Sequence, residues 1–165
     1  NVLDDSGNAL EDVAVTVWPL GQSARHFSFE SGGNVRFGPL PSGHAKILVA
    51  ARDHQAAILD AELKPGSKRR EQDLGEVRLV PGGKSLRGRV RFKSQKRPLE
   101  TVLRYEGIGQ LAGVREDGSF EFHGLPVTGA KGKVMLVLLD GSKEVYAREL
   151  VLPSGNLDVG AIRLD

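Results

Sequence analysis

Arg87, Arg89, Arg91 and Lys93 alternate with Leu86, Gly88, Val90 and Phe92. Alternate residues of a strand share one face, so this spacing lines up four cations roughly 7 Å apart. Lys84, Lys96 and Arg97 flank them. Such a stripe suits an anionic polymer: acidic polysaccharide, lipopolysaccharide or nucleic acid. No aromatic residues are interleaved for base stacking, which disfavours nucleic acid. The simpler reading is a solvated sheet face, kept from aggregating by its charges and paired with acidic neighbours.

Trp18 is the other candidate. It falls on the polar side of the alternation Val13, Val15, Val17, just before Pro19. An outward indole can stack on a sugar ring, and Tyr105 and Tyr146 could add to such a platform. The simpler reading is a ring packed at a strand end or in a joint, since Trp is usually largely buried.

His26, His44, His54 and His123 include no His-x-x-Glu pair, so a zinc peptidase centre is not expected, and they read as surface or strand-edge residues. There is no Gly-x-Ser-x-Gly elbow and no cysteine, which removes two routes to a nucleophile. We expect no catalytic residue, metal or cofactor. Asp4 to Asn8, D-D-S-G-N, lacks the full calcium-loop spacing and reads as a turn. A Lys93–Asn156 isopeptide between first and last strands is a remote further option.

The elements around these residues are strands. The 165 residues are 39% hydrophobic and 27% charged, with 21 Gly and 8 Pro, as in a turn-rich globular all-β chain. Period-2 patterns run through Val13–Val17, Phe27–Phe37 around Ser31-Gly32-Gly33-Asn34, Ile47–Val49, Ala57–Leu63 and Leu74–Val80. No apolar face holds helical spacing for more than a couple of turns. The longest apolar run, Val134 to Leu139, is far short of the roughly 20 residues of a spanning helix.

The chain also repeats itself. Gly33, Val35, Phe37, Leu40 and Pro41 return 85 residues later as Gly118, Phe120, Phe122, Leu125 and Pro126. The segment D-L-G-E-V-R-L-V at Asp73 returns as D-V-G-A-I-R-L-D at Asp158. Two units of about 80 residues are implied, 1–82 and 83–165, joined by a short hinge at Pro81-Gly82-Gly83. The first strand of the first unit is expected to begin before Asn1. Residues 1–83 hold 9 basic and 11 acidic side chains and residues 84–165 hold 14 and 10. The second unit is therefore the basic one.

Glu116-Asp117-Gly118-Ser119-Phe120-Glu121-Phe122, Gly124-Leu125-Pro126, Gly88 with Val90, Pro98-Leu99 and the closing D-x-G strands together resemble the carboxypeptidase regulatory-like domain. The first unit departs from that pattern at Gly33-Asn34 and His44. The resemblance implies a transthyretin-like fold, here two tandem seven-stranded antiparallel β-sandwiches. It implies a non-catalytic module of a larger secreted or cell-envelope protein, bacterial where such domains occur in tandem. Partners would be other domains of the same polypeptide or envelope proteins. The alternative is a carbohydrate- or anionic-glycan-binding module through Trp18, Arg87, Arg89, Arg91 and Lys93, and a peptidase accessory domain is more remote. A hydroxyisourate hydrolase shares the fold, but its Tyr-Arg-Gly-Ser ending is replaced here by Arg163-Leu164-Asp165.

Overall fold

The computed structural model describes residues 1–65, 72–93, 99–105, 108–125, 133–153 and 155–164, and every regular element in them is a strand. The N-terminal half holds β1 (Val2–Leu3), β2 (Glu11–Pro19), β3 (Arg25–Ser31), β4 (Gly43–Ala50), β5 (Ala57–Leu63) and β6 (Val77–Arg78). The C-terminal half holds β7 (Lys84–Phe92), β8 (Glu100–Tyr105), β9 (Ile108–Gly113), β10 (Ser119–Leu125), β11 (Lys133–Asp140), β12 (Lys143–Val151) and β13 (Leu157–Leu164). Lys96, Arg97, Pro98, Pro126, Asp165 and most of the expected 67–72 loop lie outside the described residues.

The halves repeat one topology. An antiparallel sheet β3-β2-β4-β5 in the first corresponds to β9-β8-β11-β12 in the second. Opposite these lie β1-β6 and β10-β7-β13. The molecule is thus an all-β, sandwich-type structure. The strands are antiparallel in both four-stranded sheets, but the closing strand of each half runs parallel to the first. Val2 pairs with Val77, and Leu86 pairs with Leu157. Each closing strand follows the edge strand of the four-stranded sheet, β5 or β12, and crosses to the opposite sheet, where it enters in the direction of the opening strand.

One expected strand does not form. Val35 and Phe37 pack against the N-terminal core, yet residues 35–40 make no ladder. Their counterpart β10 pairs along β7, from Ser119 with Arg89 to Leu125 with Lys84.

Alternation builds the two cores. Val13, Val15 and Val17 of β2 meet Ile47 and Val49 of β4, with Leu79 closing the base. Leu86, Val90, Phe120, Phe122, Leu136 and Leu138 fill the second, and the two Phe rings meet edge to face at 6.1 Å. The repeated D-x-G has one structural meaning. Asp73 Oδ1 accepts the Gly75 N–H at 2.8 Å and Asp158 Oδ1 the Gly160 N–H at 2.9 Å. Both glycines are left-handed, at φ +79° and +72°, a conformation that costs a side-chain-bearing residue about 1 kcal/mol or more.

Pro81-Gly82-Gly83 is not a hinge. The Gly82 and Gly83 N–H groups donate to Asp53 O at 2.8 and 3.2 Å, and Gln55 N–H donates to Val80 O at 2.8 Å. The turn after β4 therefore holds the linker along its length. A Cβ on Gly83 would stand 1.7 Å from His54 O, so only glycine allows this approach. Gly83→Ala is expected to lower unfolding free energy by about 3 kcal/mol, since backbone rather than a side chain must move. Gly113→Ala, where a Cβ meets nothing within 4 Å, should change it by no more than about 0.5 kcal/mol. Urea denaturation of both variants checks this; equal effects would contradict the clamped linker.

Candidate functional site

The outer face of the three-stranded sheet carries the basic stripe. Leu86 and Val90 point into the core, which leaves Arg87, Arg89 and Arg91 exposed on the other side, with Lys93 exposed just beyond. The structure thus places all four candidate cations on one surface. It also supplies acidic neighbours. Arg87 pairs with Asp158 at 3.1 Å and Arg89 with Asp117 at 3.2 Å. Asp117 is held below the usual carboxylate range first by the Ser119 hydroxyl and N–H, and then by Arg89 and Arg115. Asp158 is lowered first by the Gly160 N–H and then by Arg87. One cation was missed by sequence reading. Arg163 on β13 is exposed and stands directly beside Arg91 in the parallel register. Nothing in the spacing of β13 announces this, because it depends on which strand β13 joins.

Trp18 sits elsewhere. Its Nε1–H donates to Gly109 O, across the boundary between the halves. Its ring packs with Leu48 and Ala50 on one side of the joint and with Val102, Leu111 and Val137 on the other. A Cβ on Gly109 would lie 2.7 Å from Trp18 Cζ2, so the glycine makes room for the indole. The polar side of β2 is therefore covered, and Thr16 is fully buried beside Trp18. Tyr146 belongs to the C-terminal core instead, and the side chain of Tyr105 lies outside the described residues.

The same strands rule out the isopeptide. Asn156 Oδ1 accepts the Ser85 N–H at the start of β7, while Lys93 N–H meets Leu164 O at the far end. Parallel pairing holds the two residues at opposite ends, roughly 26 Å apart at the rise of a strand. Asp4 is taken up by its own turn, with Asn8 donating to both carboxylate oxygens at 2.7 and 3.0 Å.

Where the stacked sheets part, a cleft of about 440 Å³ opens. Asp12, His26, Glu30 and Arg52 face it from the N-terminal half, and Gln110, Arg115, Glu121 and His123 from the C-terminal half. Asp12, with a left-handed backbone at φ +50°, ion-pairs with Arg52 at 2.9 Å. Gln110 is buried and donates to His123 O at 2.8 Å. His44 is exposed on β4 and paired to Glu62 at 2.8 Å, and His54 lies in the turn after β4. His26 and His123 lie on the edge strands β3 and β10, and both flank the joint.

Thr16 Oγ1 accepts the Leu111 N–H at 3.4 Å, across the joint, and faces His26 Nδ1 at 3.3 Å. The hydroxyl and the imidazole share one hydrogen bond, whose direction follows the His26 tautomer. Burial pushes the His26 imidazole below its ordinary value of 6.5. Burial also lowers His123, against the pull of Glu121 and Asp12 and assisted by Arg52 and Arg115.

No family model matches the chain. No curated protein matches it either. Among solved structures, the Bacillus anthracis TIE protein aligns over 98% of this chain at 16% identity and a TM-score of 0.40. The chain spans 32% of that protein's length. A candidate adhesin of Bacteroides ovatus aligns over 99% of this chain and 91% of its own length, at 11% identity and a TM-score of 0.33. Likenesses this low define neither a family nor an activity for the present chain.

The lowered imidazoles have a stability consequence. Between their folded values and 6.5 the unfolded chain binds more protons than the folded one, so stability rises with pH in that window. The histidine contribution is complete above about pH 6.5 and is lost as pH falls below it. The urea midpoint is therefore expected to be lower at pH 5.5 than at pH 7.5, and the His26→Gln/His123→Gln pair should remove most of that difference. An unchanged pH dependence in the double variant would contradict this.

Proposed function

We propose that the chain is a non-catalytic structural and interaction module of a larger secreted or cell-envelope protein. In this reading residues 1–82 and 83–165 are two tandem β-sandwich domains of carboxypeptidase regulatory-like type. Their role is to set other domains, or envelope partners, at a fixed distance and orientation. The observation that carries the reading is the joint at Trp18: two four-stranded sheets stack face to face, with Trp18, Thr16, Leu48, Val102 and Val137 between them. A pair of domains tied only by a flexible linker would transmit neither distance nor orientation. Here the linker is clamped and the sheets share a buried face, so the pair behaves as one block.

The cleft histidines are held by their neighbours, His26 by Thr16 and Ser28 and His123 by Ser85 and Glu121. Every buried side-chain polar atom among the described residues has a partner. Among the described residues no helix is long and apolar enough to cross a membrane. Trp18, read as a possible sugar platform, is here proposed as the peg of the joint instead, because its indole N–H and ring are engaged by the opposite half.

Trp18 is the chain's single tryptophan, so its emission reports on the joint alone. Urea unfolding followed by that emission and by far-UV circular dichroism should give one coincident transition. Trp18→Ala should lower stability by about 2–3 kcal/mol, less than a fully buried Trp, because the side chain is only partly buried. It should also separate the unfolding of the two halves into resolvable steps. Two separated transitions in the unmutated protein, with solvent-like Trp18 emission, would sink the rigid-block reading.

A further inference from the structure

We infer that the exposed face of the β10-β7-β13 sheet binds an acidic polysaccharide, with Arg91 and Arg163 as its anchoring pair. Along β7, Arg87 and Arg89 each meet a carboxylate, from Asp158 and Asp117. Among the described residues no acidic side chain answers Arg91 or Arg163. Yet these two are Cα partners on adjacent parallel strands, and both are exposed. Like charges set opposite each other in a sheet destabilise it. The arrangement is relieved when an anion enters between the two guanidinium groups, whose planar donor forks match the oxygens of a carboxylate or sulfate.

The face also selects the kind of anion. It is an open sheet surface, not a pocket, so it suits an extended chain rather than an enclosed small molecule. Its outward positions are Ser119 on β10, the arginines of β7, and Ala161 and Arg163 on β13, while Glu121 and His123 of β10 continue this face into the cleft. Phe92, Phe120 and Phe122 pack toward the core. The face therefore has no ring on which a nucleic-acid base could stack and no apolar side chain to enter a lipid bilayer. What remains is anionic groups on a hydrophilic polymer. Exposed ion pairs are individually weak. Useful affinity must therefore come from several anionic groups along one chain. Arg89, beside its Asp117, lies next along β7 for the same polymer to reach.

The test is retention on immobilised heparin and titration with polygalacturonate, one sulfated and one carboxylated probe. Arg91→Glu/Arg163→Glu should elute from heparin at markedly lower salt than the unmutated protein. It should also bind polygalacturonate about tenfold or more weakly. Lys143→Glu/Arg148→Glu makes the same charge change on β12, at the far side of the C-terminal half, and should behave as unmutated. Should the Glu pair fail to fold by circular dichroism, Arg91→Gln/Arg163→Gln takes its place with the same expected direction. Equal losses in the β7/β13 and β12 variants would mean bulk charge only and overturn the proposal. So would an unmutated protein that ignores both probes, or one released from heparin more readily by a thymidine oligonucleotide than by polygalacturonate.

Discussion

A β-sheet has two faces, and in this protein the central strands of each four-stranded sheet are covered on both. One face of β2 and β4 carries Val13, Val15, Val17, Ile47 and Val49 into the first core. The other carries Thr16, Trp18, Leu48 and Ala50 against the second half. The same holds across the joint, where Leu136 and Leu138 face the C-terminal core and Val137 faces Trp18. A sandwich of about 80 residues buries only about 60% of its unfolded surface and is marginal alone. The shared face supplies what each small core lacks.

The rest of the arrangement follows from holding that face dry and in register. The Trp18 indole cannot lie across the joint without its N–H finding an acceptor, and Gly109 O provides one. Thr16 cannot be buried without partners, and Leu111 N–H and His26 supply them. The turn at Asp53 to Ala56 holds the linker with backbone bonds, and Ala56 N–H goes on to Gly124 O in the other half. The cleft lies where the stacked sheets diverge, and its charges are those that the joint excludes. Asp12, Arg52, Glu121 and Arg115 keep to its polar rim.

Opposite the joint, the three-stranded sheet keeps one face to solvent. There the charges of β7 need not be neutralised, and only part of them are. The molecule thus has a buried side that fixes its shape and an open side free to meet something else. These are separate consequences of one topology, since the sheet that holds β7 is the layer turned away from the first half's four-stranded sheet.

Much of this was legible in the residues themselves. Period-2 alternation placed the strands, and the repeated D-x-G marked two Asx turns with left-handed glycines, because those interactions are local. The face of Arg87, Arg89 and Arg91 was equally legible, since alternation along one strand needs no neighbour. Three things were not. The run Val134 to Leu139 is apolar on both sides because β11 is buried on both faces, which a count of hydrophobic residues does not reveal. The parallel pairing of first and closing strands set Arg163 beside Arg91 and carried Asn156 away from Lys93. The stacking of the sheets turned Trp18 from an outward ring into a joint, made His26 and His123 cleft residues, and turned an apparent hinge at Pro81-Gly82-Gly83 into a clamp. Each of these depends on contacts between residues tens of positions apart, whose cost in chain entropy is met only when the whole fold closes. The sequence by itself determined the strands, the turns and the charge on one face. Only the tertiary structure decided which faces meet, because that choice rests on surfaces no single segment contains.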